Sequence, residues 1–513
     1  MIRRLAPAVL AFSLIGGCAA DHAPGSYAGR DRIIGEHVFS VGYARISEIY
    51  LQPVDLRLLT LDGLNGLTRI DPTIGIGLSG GTLRLKVADG LVGEFTLPDR
   101  NEPGAWAAVT MRAVERLRAT APGLAAADAE DVYQALFDAI VNDLDGYSRY
   151  TGAVRAMDER SQREGYGGIG VTIKHEGDRH EILEVLAEGP AAQAGIGAGE
   201  LILAIDGEFT GHLSMAQVGE RLRGPAGTVV MITVGRTLEE SRRLAVRRDR
   251  LIPNTVEASA TDGIGVLRVD RFNAATTVNL REGIRKIRRE LGRNPAGLVL
   301  DLRGNPGGLL DQAVAVADQF MPSGRIISTK GRHPDSLQQF DATPDDIAEG
   351  VPMVVLIDGR SASAAEIVAA ALQDSGRAVV VGASSFGKGS VQTVTRLPND
   401  GELFLTWSRI YAPSGYTLHR QGVQPTVCTS NDVTRVDEAL RPLRQGVVVP
   451  PSTLALWRTK APEDEGALSR LREACPWKEH APELDLQVAQ SILKDQGLYR
   501  RALLQAQTHV AER

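Results

Sequence analysis

Met353-Val-Val-Leu-Ile-Asp358-Gly-Arg-Ser361-Ala-Ser363-Ala-Ala-Glu366-Ile-Val-Ala-Ala-Ala-Leu-Gln-Asp374 reads as a buried strand, a turn of small residues and an alanine-rich helix in direct succession. The strand is five apolar residues long and shows no alternation, the pattern of a strand covered on both faces. The turn places Ser361 and Ser363 at the start of the helix. A serine there caps the helix by accepting a backbone N–H bond. It can also act as a nucleophile, because the free N–H groups of a helix N-terminus suit a developing oxyanion.

Working outward, strand and helix signals alternate over 253–425. Strands are expected at 265–269, 297–302, 353–358 and 378–382, with helices at 278–291 and 310–320. This alternation argues for an α/β layered core. Two further loops of this core follow buried strands. Asp301-Leu-Arg-Gly-Asn-Pro-Gly-Gly308 is rich in glycine and exposes backbone N–H groups, so that Gly307 or Gly308 could supply one oxyanion donor and Ala364 the other. Ser384-Ser-Phe-Gly-Lys388-Gly-Ser-Val-Gln392 flanks a lysine with glycines and sets a glutamine four residues later. A desolvated lysine can serve as general base at neutral pH, and a neutral glutamine can orient the amine without fixing it as ammonium.

Residues 165–250 differ in texture. Gly168-Ile169-Gly170-Val171 opens a strand, Gln217 to Arg223 suits a helix, and Arg223-Gly-Pro-Ala-Gly-Thr228 turns into the strand 229–234. The run resembles a PDZ domain in the circularly permuted bacterial order. That resemblance makes Ile169, Gly170 and Val171 the loop that holds a terminal carboxylate, beside a strand edge that can add an extended peptide.

Taken together, Ser-Ala-Ser363-Ala-Ala-Glu, Phe-Gly-Lys388-Gly-Ser-Val-Gln392, Asp-Leu-Arg-Gly-Asn-Pro-Gly-Gly308, Arg409-Ile-Tyr-Ala-Pro-Ser-Gly and Gly422-Val-Gln-Pro425 resemble the carboxyl-terminal processing peptidases, the tail-specific serine proteases. The resemblance covers roughly 130–427. It implies a multidomain α/β protein with a PDZ domain and a crotonase-like Ser–Lys protease core. Ser363 falls at the nucleophile, Lys388 at the general base, Gln392 at its supporting residue, and Gly308 with Ala364 at the oxyanion hole. Ala383 and Thr426 stand where the family often carries acidic residues, a departure that touches substrate preference rather than the dyad. The implied activity is endopeptidase cleavage of proteins captured by apolar C-terminal tails, with no cofactor and no metal. A non-catalytic PDZ adaptor and a cell-wall peptide hydrolase using the same dyad are the other readings. Partners beyond substrate, whether a second copy of the chain or an activating protein, stay open.

The chain's 513 residues suggest about three domains at roughly 150 residues each. Lys and Arg number 57 against 63 Asp and Glu, a net charge of −6 that gives no general attraction to nucleic acid. Hydrophobic content of 43% excludes disorder as the main state. Residues 1–18 read as an export signal: Arg3 and Arg4, a short apolar stretch, then Ile-Gly-Gly-Cys18, which resembles a bacterial lipobox. Lipidation of Cys18, a tether over 19–32 and a periplasmic site on the outer membrane are therefore expected. In that oxidising space Cys428 and Cys475 are the one remaining pair. A disulfide between them is expected, worth about 3–4 kcal/mol in the chain-entropy picture, with two free buried thiols as the alternative. Residues 33–160 read as a mixed α/β segment and 426–513 as helical, with a break at Gly497. Gly75-Ile-Gly-Leu-Ser-Gly80 matches the spacing of a dinucleotide fingerprint, and Gly77-Leu-Ser-Gly-Gly81 that of a nucleophile elbow. A strand-like segment, not a helix, follows both, so the stretch is expected to be a hairpin.

Overall fold

The structure is a computed structural model that describes residues 25–292, 295–430, 432–446, 456, 458–461, 463–477 and 482–507. Cys18, the expected export signal and residues 19–24 of the expected tether lie outside the described residues; from Gly25 onward the tether is not extended but begins the helix Gly25–Ile49. Among those described, no helix is long and apolar enough to cross a membrane. Contacts divide the chain into two units, 1–44 with 55–143, and 45–54 with 144–513.

The first unit is helical with one small sheet. Helices Leu56–Gly66, Pro103–Arg118 and Ala129–Asn142 enclose an aromatic cluster in which Phe39 stacks on Phe137 at 4.5 Å. The glycine-rich stretch is a hairpin, as expected: Ile74–Ser79 pairs with Thr82–Val87. Gly80 and Gly81 close it with φ of 56° and 78°, the tight turn that two positive-φ residues allow. Leu83 and Leu85 are fully buried on one face, which is what the alternation implied.

In the second unit the PDZ segment is a sheet in the order Arg242–Arg247, Val229–Gly235, Leu201–Ile205, Arg179–Val185, Val171–Glu176. The last strand is an edge. Ile169, Gly170 and Val171 lead into it, and helix Met215–Leu222 carries a reciprocal Ser214–Gln217 cap.

Residues 256–428 carry a six-stranded sheet in the order Val256–Thr261, Ile264–Val269, Gly297–Asp301, Met353–Ile357, Val379–Gly382, Val427–Cys428. Only the first pair is antiparallel. Both faces are covered, which is why Met353–Ile357 shows no alternation. Helices Thr276–Leu291, Leu310–Asp318 and Ala364–Asp374 pack on one face. Helices Val436–Gln445, Pro482–Lys494 and Gln496–Gln507 cover the other through Leu440, Val488, Ile492 and Leu498. The C-terminal residues thus complete the core rather than follow it, and the helical tail breaks at Asp495, two residues before Gly497.

A second sheet runs Gln338–Asp341, Arg325–Gly331, Glu402–Tyr411, Ser390–Arg396. Strand Arg149–Thr151 adds to it along Glu402–Phe404. Residues 144–160, expected with the N-terminal segment, therefore sit with the second unit. Their backbone bonds are made to a strand some 250 residues later.

Candidate active site

Three loops meet at the carboxyl ends of the core strands. The turn after Met353–Ile357 is stitched by side chains. Asp358 accepts from the backbone N–H of Ser361 and of Gly304, at 3.0 and 2.9 Å, tying this turn to the glycine-rich loop. Ala362 N–H donates to the Asn305 carbonyl at 2.9 Å, a second tie. Ser361 is fully buried, and its hydroxyl donates to the Leu302 carbonyl at 2.8 Å. It is part of the stitching. Ser363 is partly exposed and has φ 54°, ψ −113°, an unfavourable conformation for a residue with a Cβ. Of the two serines, it is the one held in a strained strand-to-helix turn, as nucleophiles commonly are.

Gly308 has φ 146°, and a Cβ there would lie 2.0 Å from the Phe272 carbonyl oxygen. Phe272 N–H donates to Gly307 and Leu309 N–H donates to Phe272, so Gly308 directs its own N–H to the opposite side. Gly307 packs against Ala362, Ser363 and the Ala364 nitrogen. Its N–H is taken by Asn305 Oδ1 at 2.8 Å, which leaves Gly308 and not Gly307 as the free donor of that loop. Ala364 N–H is in the first helical turn, where no intrahelical partner exists.

The third loop follows Val379–Gly382 and carries Lys388. Its anchor is Glu366, on the first turn of the alanine-rich helix and 0% exposed. Glu366 Oε1 accepts from the Ser385 hydroxyl at 2.5 Å and Gly387 N–H at 2.6 Å. Its Oε2 accepts from Ser363 N–H at 2.7 Å and Lys388 N–H at 2.9 Å. One buried carboxylate therefore joins the Ser363 turn to the Lys388 loop. Burial pushes its pKa up and the four donors pull it down. Burial outweighs the donors, so the carboxyl is held above its ordinary range while all four bonds fix its position.

Burial lowers the Lys388 pKa, and the Arg149 charge lowers it further, against Glu366 and Asp145. The amine lies 5.6 Å from the Tyr147 ring centroid. Tyr147 in turn meets His419 edge-on at 6.2 Å. His419 is held neutral, its pKa lowered to about 4 by burial and then by Arg409 and Arg420; Arg409 Nη1 lies 3.0 Å from its Nδ1. Asp145, Tyr147 and Arg149 were not singled out from sequence. Their only local signal is a charged and aromatic turn directly after a helix.

Among the described residues, no hydrogen bond joins Gln392 to Lys388. The Gln392 amide nitrogen donates to Ser390 Oγ at 2.9 Å and Thr406 Oγ1 at 3.2 Å, across a bulge in strand Ser390–Arg396. Among the described residues, no hydrogen bond joins the Ser363 hydroxyl to the Lys388 amine. Cys428 and Cys475 are joined by a disulfide.

The profile of Peptidase family S41 matches residues 263–429, and that of a PDZ domain matches 181–236. A carboxy-terminal-processing protease of Bartonella bacilliformis is 37% identical over 303 residues, covering 58% of this chain and 70% of that protein. The chain belongs to peptidase family S41. Within that family, a carboxyl-terminal-processing protease of Picosynechococcus is 31% identical over 263 residues, 50% of this S41 peptidase and 62% of the relative. A solved photosystem II D1 C-terminal processing protease is 24% identical and covers 74% of this chain and 93% of that one, with a TM-score of 0.36.

Proposed function

We propose that this S41 peptidase is an exported, lipid-anchored serine endopeptidase that takes proteins by their apolar C-terminal tails. The observation that carries the reading is the Glu366 junction, which holds the Ser363 turn and the Lys388 loop on one carboxylate. In this reading the PDZ edge strand Val171–Glu176 adds the substrate tail as a further strand. The N–H groups of Ile169, Gly170 and Val171 receive its terminal carboxylate. Ser363 Oγ attacks the scissile carbonyl and gives its proton to neutral Lys388. Gly308 and Ala364 donate to the oxyanion, each such donor being worth about 3–4 kcal/mol in the transition state. Collapse releases the amine, protonated by Lys388. Water then attacks the acyl-enzyme with Lys388 again as base.

A neutral amine is what this cycle requires, and burial, followed by the Arg149 charge, lowers the Lys388 pKa in that direction. Gln392 supports the lysine through the strand it helps to fix, not by a hydrogen bond to it. Attack requires the hydroxyl and amine to come within hydrogen-bond reach, a tightening common when substrate binds. Lipidation of Cys18 and residence on the periplasmic face of the outer membrane belong to the same proposal and rest on the lipobox pattern.

The test is cleavage of a folded protein ending in an apolar tail by Ser363→Ala and Lys388→Ala chains with unchanged melting. Both are expected to lose activity by at least a thousandfold. Cleavage at the original rate by either variant would overturn the dyad.

A further inference from the structure

The segment Glu465–Glu473 and the residues after it lie beyond the 263–429 stretch matched by the family profile. They close on the outer side of the Lys388 loop. The Arg472 guanidinium donates to two consecutive loop carbonyls, those of Ser385 and Phe386. The Cys475 carbonyl accepts from Ser384 N–H at 3.1 Å, and the Ser384 hydroxyl lies 2.5 Å from the same oxygen. Pro476 accepts from Ser430 at 2.5 Å, and Trp477 packs directly over Gly359 at the start of the Ser363 turn. Cys475 is bonded to Cys428, which pairs in register with Gly382, where the Lys388 loop leaves the sheet.

The loop is thus gripped on two sides. Its N–H groups at Gly387 and Lys388 turn inward to Glu366, and its carbonyls at Ser385 and Phe386 turn outward to Arg472. A loop without regular secondary structure has no ladder of its own; scattered backbone bonds to Ser361, Ile410, Arg420 and Val423 hold it at separate points, and the two charged groups grip it from opposite sides.

We propose that Arg472 is a positioning residue for Lys388, and that the Cys428–Cys475 bond holds it against the loop. It touches neither substrate nor the reacting atoms. It acts by keeping the lysine loop pressed onto Glu366, so that Lys388 stays desolvated and aimed. This inference rests on the Ser363–Lys388 reading above.

The experiment compares kcat, KM and the pH dependence of kcat on a protein substrate with an apolar tail, using the full chain. The groups around Lys388 that titrate or carry charge are Asp145, Tyr147 and Arg149 from one segment, Glu366 from the helix, and Arg409 and His419 around Tyr147. These are left intact. Arg472→Met is expected to lower kcat at least tenfold with KM within threefold, and to move the rising limb to higher pH as water reaches the amine. Arg472→Lys, which keeps the charge but not the two-pronged grip, recovers part of kcat. The double variant Cys428→Ser/Cys475→Ser leaves every charge in place and shows the same signature in weaker form. A lower melting temperature with unchanged kcat and pH limb in Arg472→Met would make the contact merely structural and overturn the proposal. If Arg472→Met does not fold, an unchanged limb and kcat in the double cysteine variant overturns it. Retained cleavage by Lys388→Ala would instead remove the underlying dyad reading, so the two failures are distinguishable.

Discussion

Glu366→Gln is the most informative single change, because its cost can be worked out atom by atom. Gln keeps the shape but replaces one acceptor oxygen with an NH2 group. If the NH2 takes the Oε2 position, it faces two backbone donors, Ser363 and Lys388. If it takes the Oε1 position, the Ser385 oxygen, which already accepts from Val423 N–H, can accept once more, and the groups left stranded are Gly387 N–H and the rotatable Ser385 hydroxyl hydrogen. The second arrangement is the cheaper. A stranded buried N–H costs about 1–3 kcal/mol, and the two bonds still made weaken by about 1 kcal/mol each on losing the charge. The neutral amide recovers part of this, since burying it costs less than burying a carboxylate. The net expectation is about 2 kcal/mol, placed on the loop that carries Lys388. If that strain is carried into the transition state, kcat falls about 30-fold at 1.36 kcal/mol per tenfold. Hydrogen exchange of the 384–389 backbone, read alongside kcat, checks both halves. Exchange and kcat within twofold of the parent would refute the claim that Glu366 joins the two loops.

Three other outcomes follow from the same geometry. Gly308→Ala, whose Cβ would sit 2.0 Å from the Phe272 carbonyl, should displace the oxyanion loop and cut kcat by at least a hundredfold; acylation of Ser363 by an active-serine probe at the parent rate would refute this. Arg149→Met removes a positive charge that favours the neutral amine, so the Lys388 pKa rises and less base is available at a given pH; the rising limb of kcat against pH should move alkaline, and a limb that stays or moves acid sinks the assignment. Cys18→Ala should abolish incorporation of labelled palmitate and release the protein from the membrane fraction, while persistent labelling would place the anchor elsewhere.

The sequence was most legible where chemistry and local structure coincide. The strand–turn–helix at 353–374 needed only apolar runs and small residues to be seen, and the hairpin at Gly80–Gly81 only its glycines. Position at a helix start does not choose between Ser361 and Ser363, and the sequence reading took Ser363 from its motif; the structure buries Ser361 and gives Ser363 the positive φ. Glu366 looked like an ordinary first-turn acid, favourable to the helix dipole. Its bond to Ser363 N–H follows the capping-box spacing, but its partners Ser385, Gly387 and Lys388 lie some twenty residues away on another loop, and no spacing rule reaches that far. Asp145, Tyr147 and Arg149 were hidden for the same reason, since the pairing of Arg149–Thr151 with Glu402–Phe404 is non-local. Lys388 and Gln392 share a spacing of four, but the lysine precedes the strand in a loop, so the shared face that spacing implied does not form.

The covering of the second sheet face by Val436–Gln445, Pro482–Lys494 and Gln496–Gln507 bears on the order in which the chain can mature. A ribosome or translocation channel delivers residues 263–429 first. At that moment Ile264, Val299, Val354, Leu356, Val379 and Val381 have nothing above them. The stretch that carries every proposed catalytic group is therefore not a unit that can fold alone. A fragment ending near 429 would present a bare, aliphatic parallel sheet and would aggregate. Assembly must wait for helices Pro482–Lys494 and Gln496–Gln507, which ties the appearance of a formed active site to residues synthesised well after the catalytic stretch.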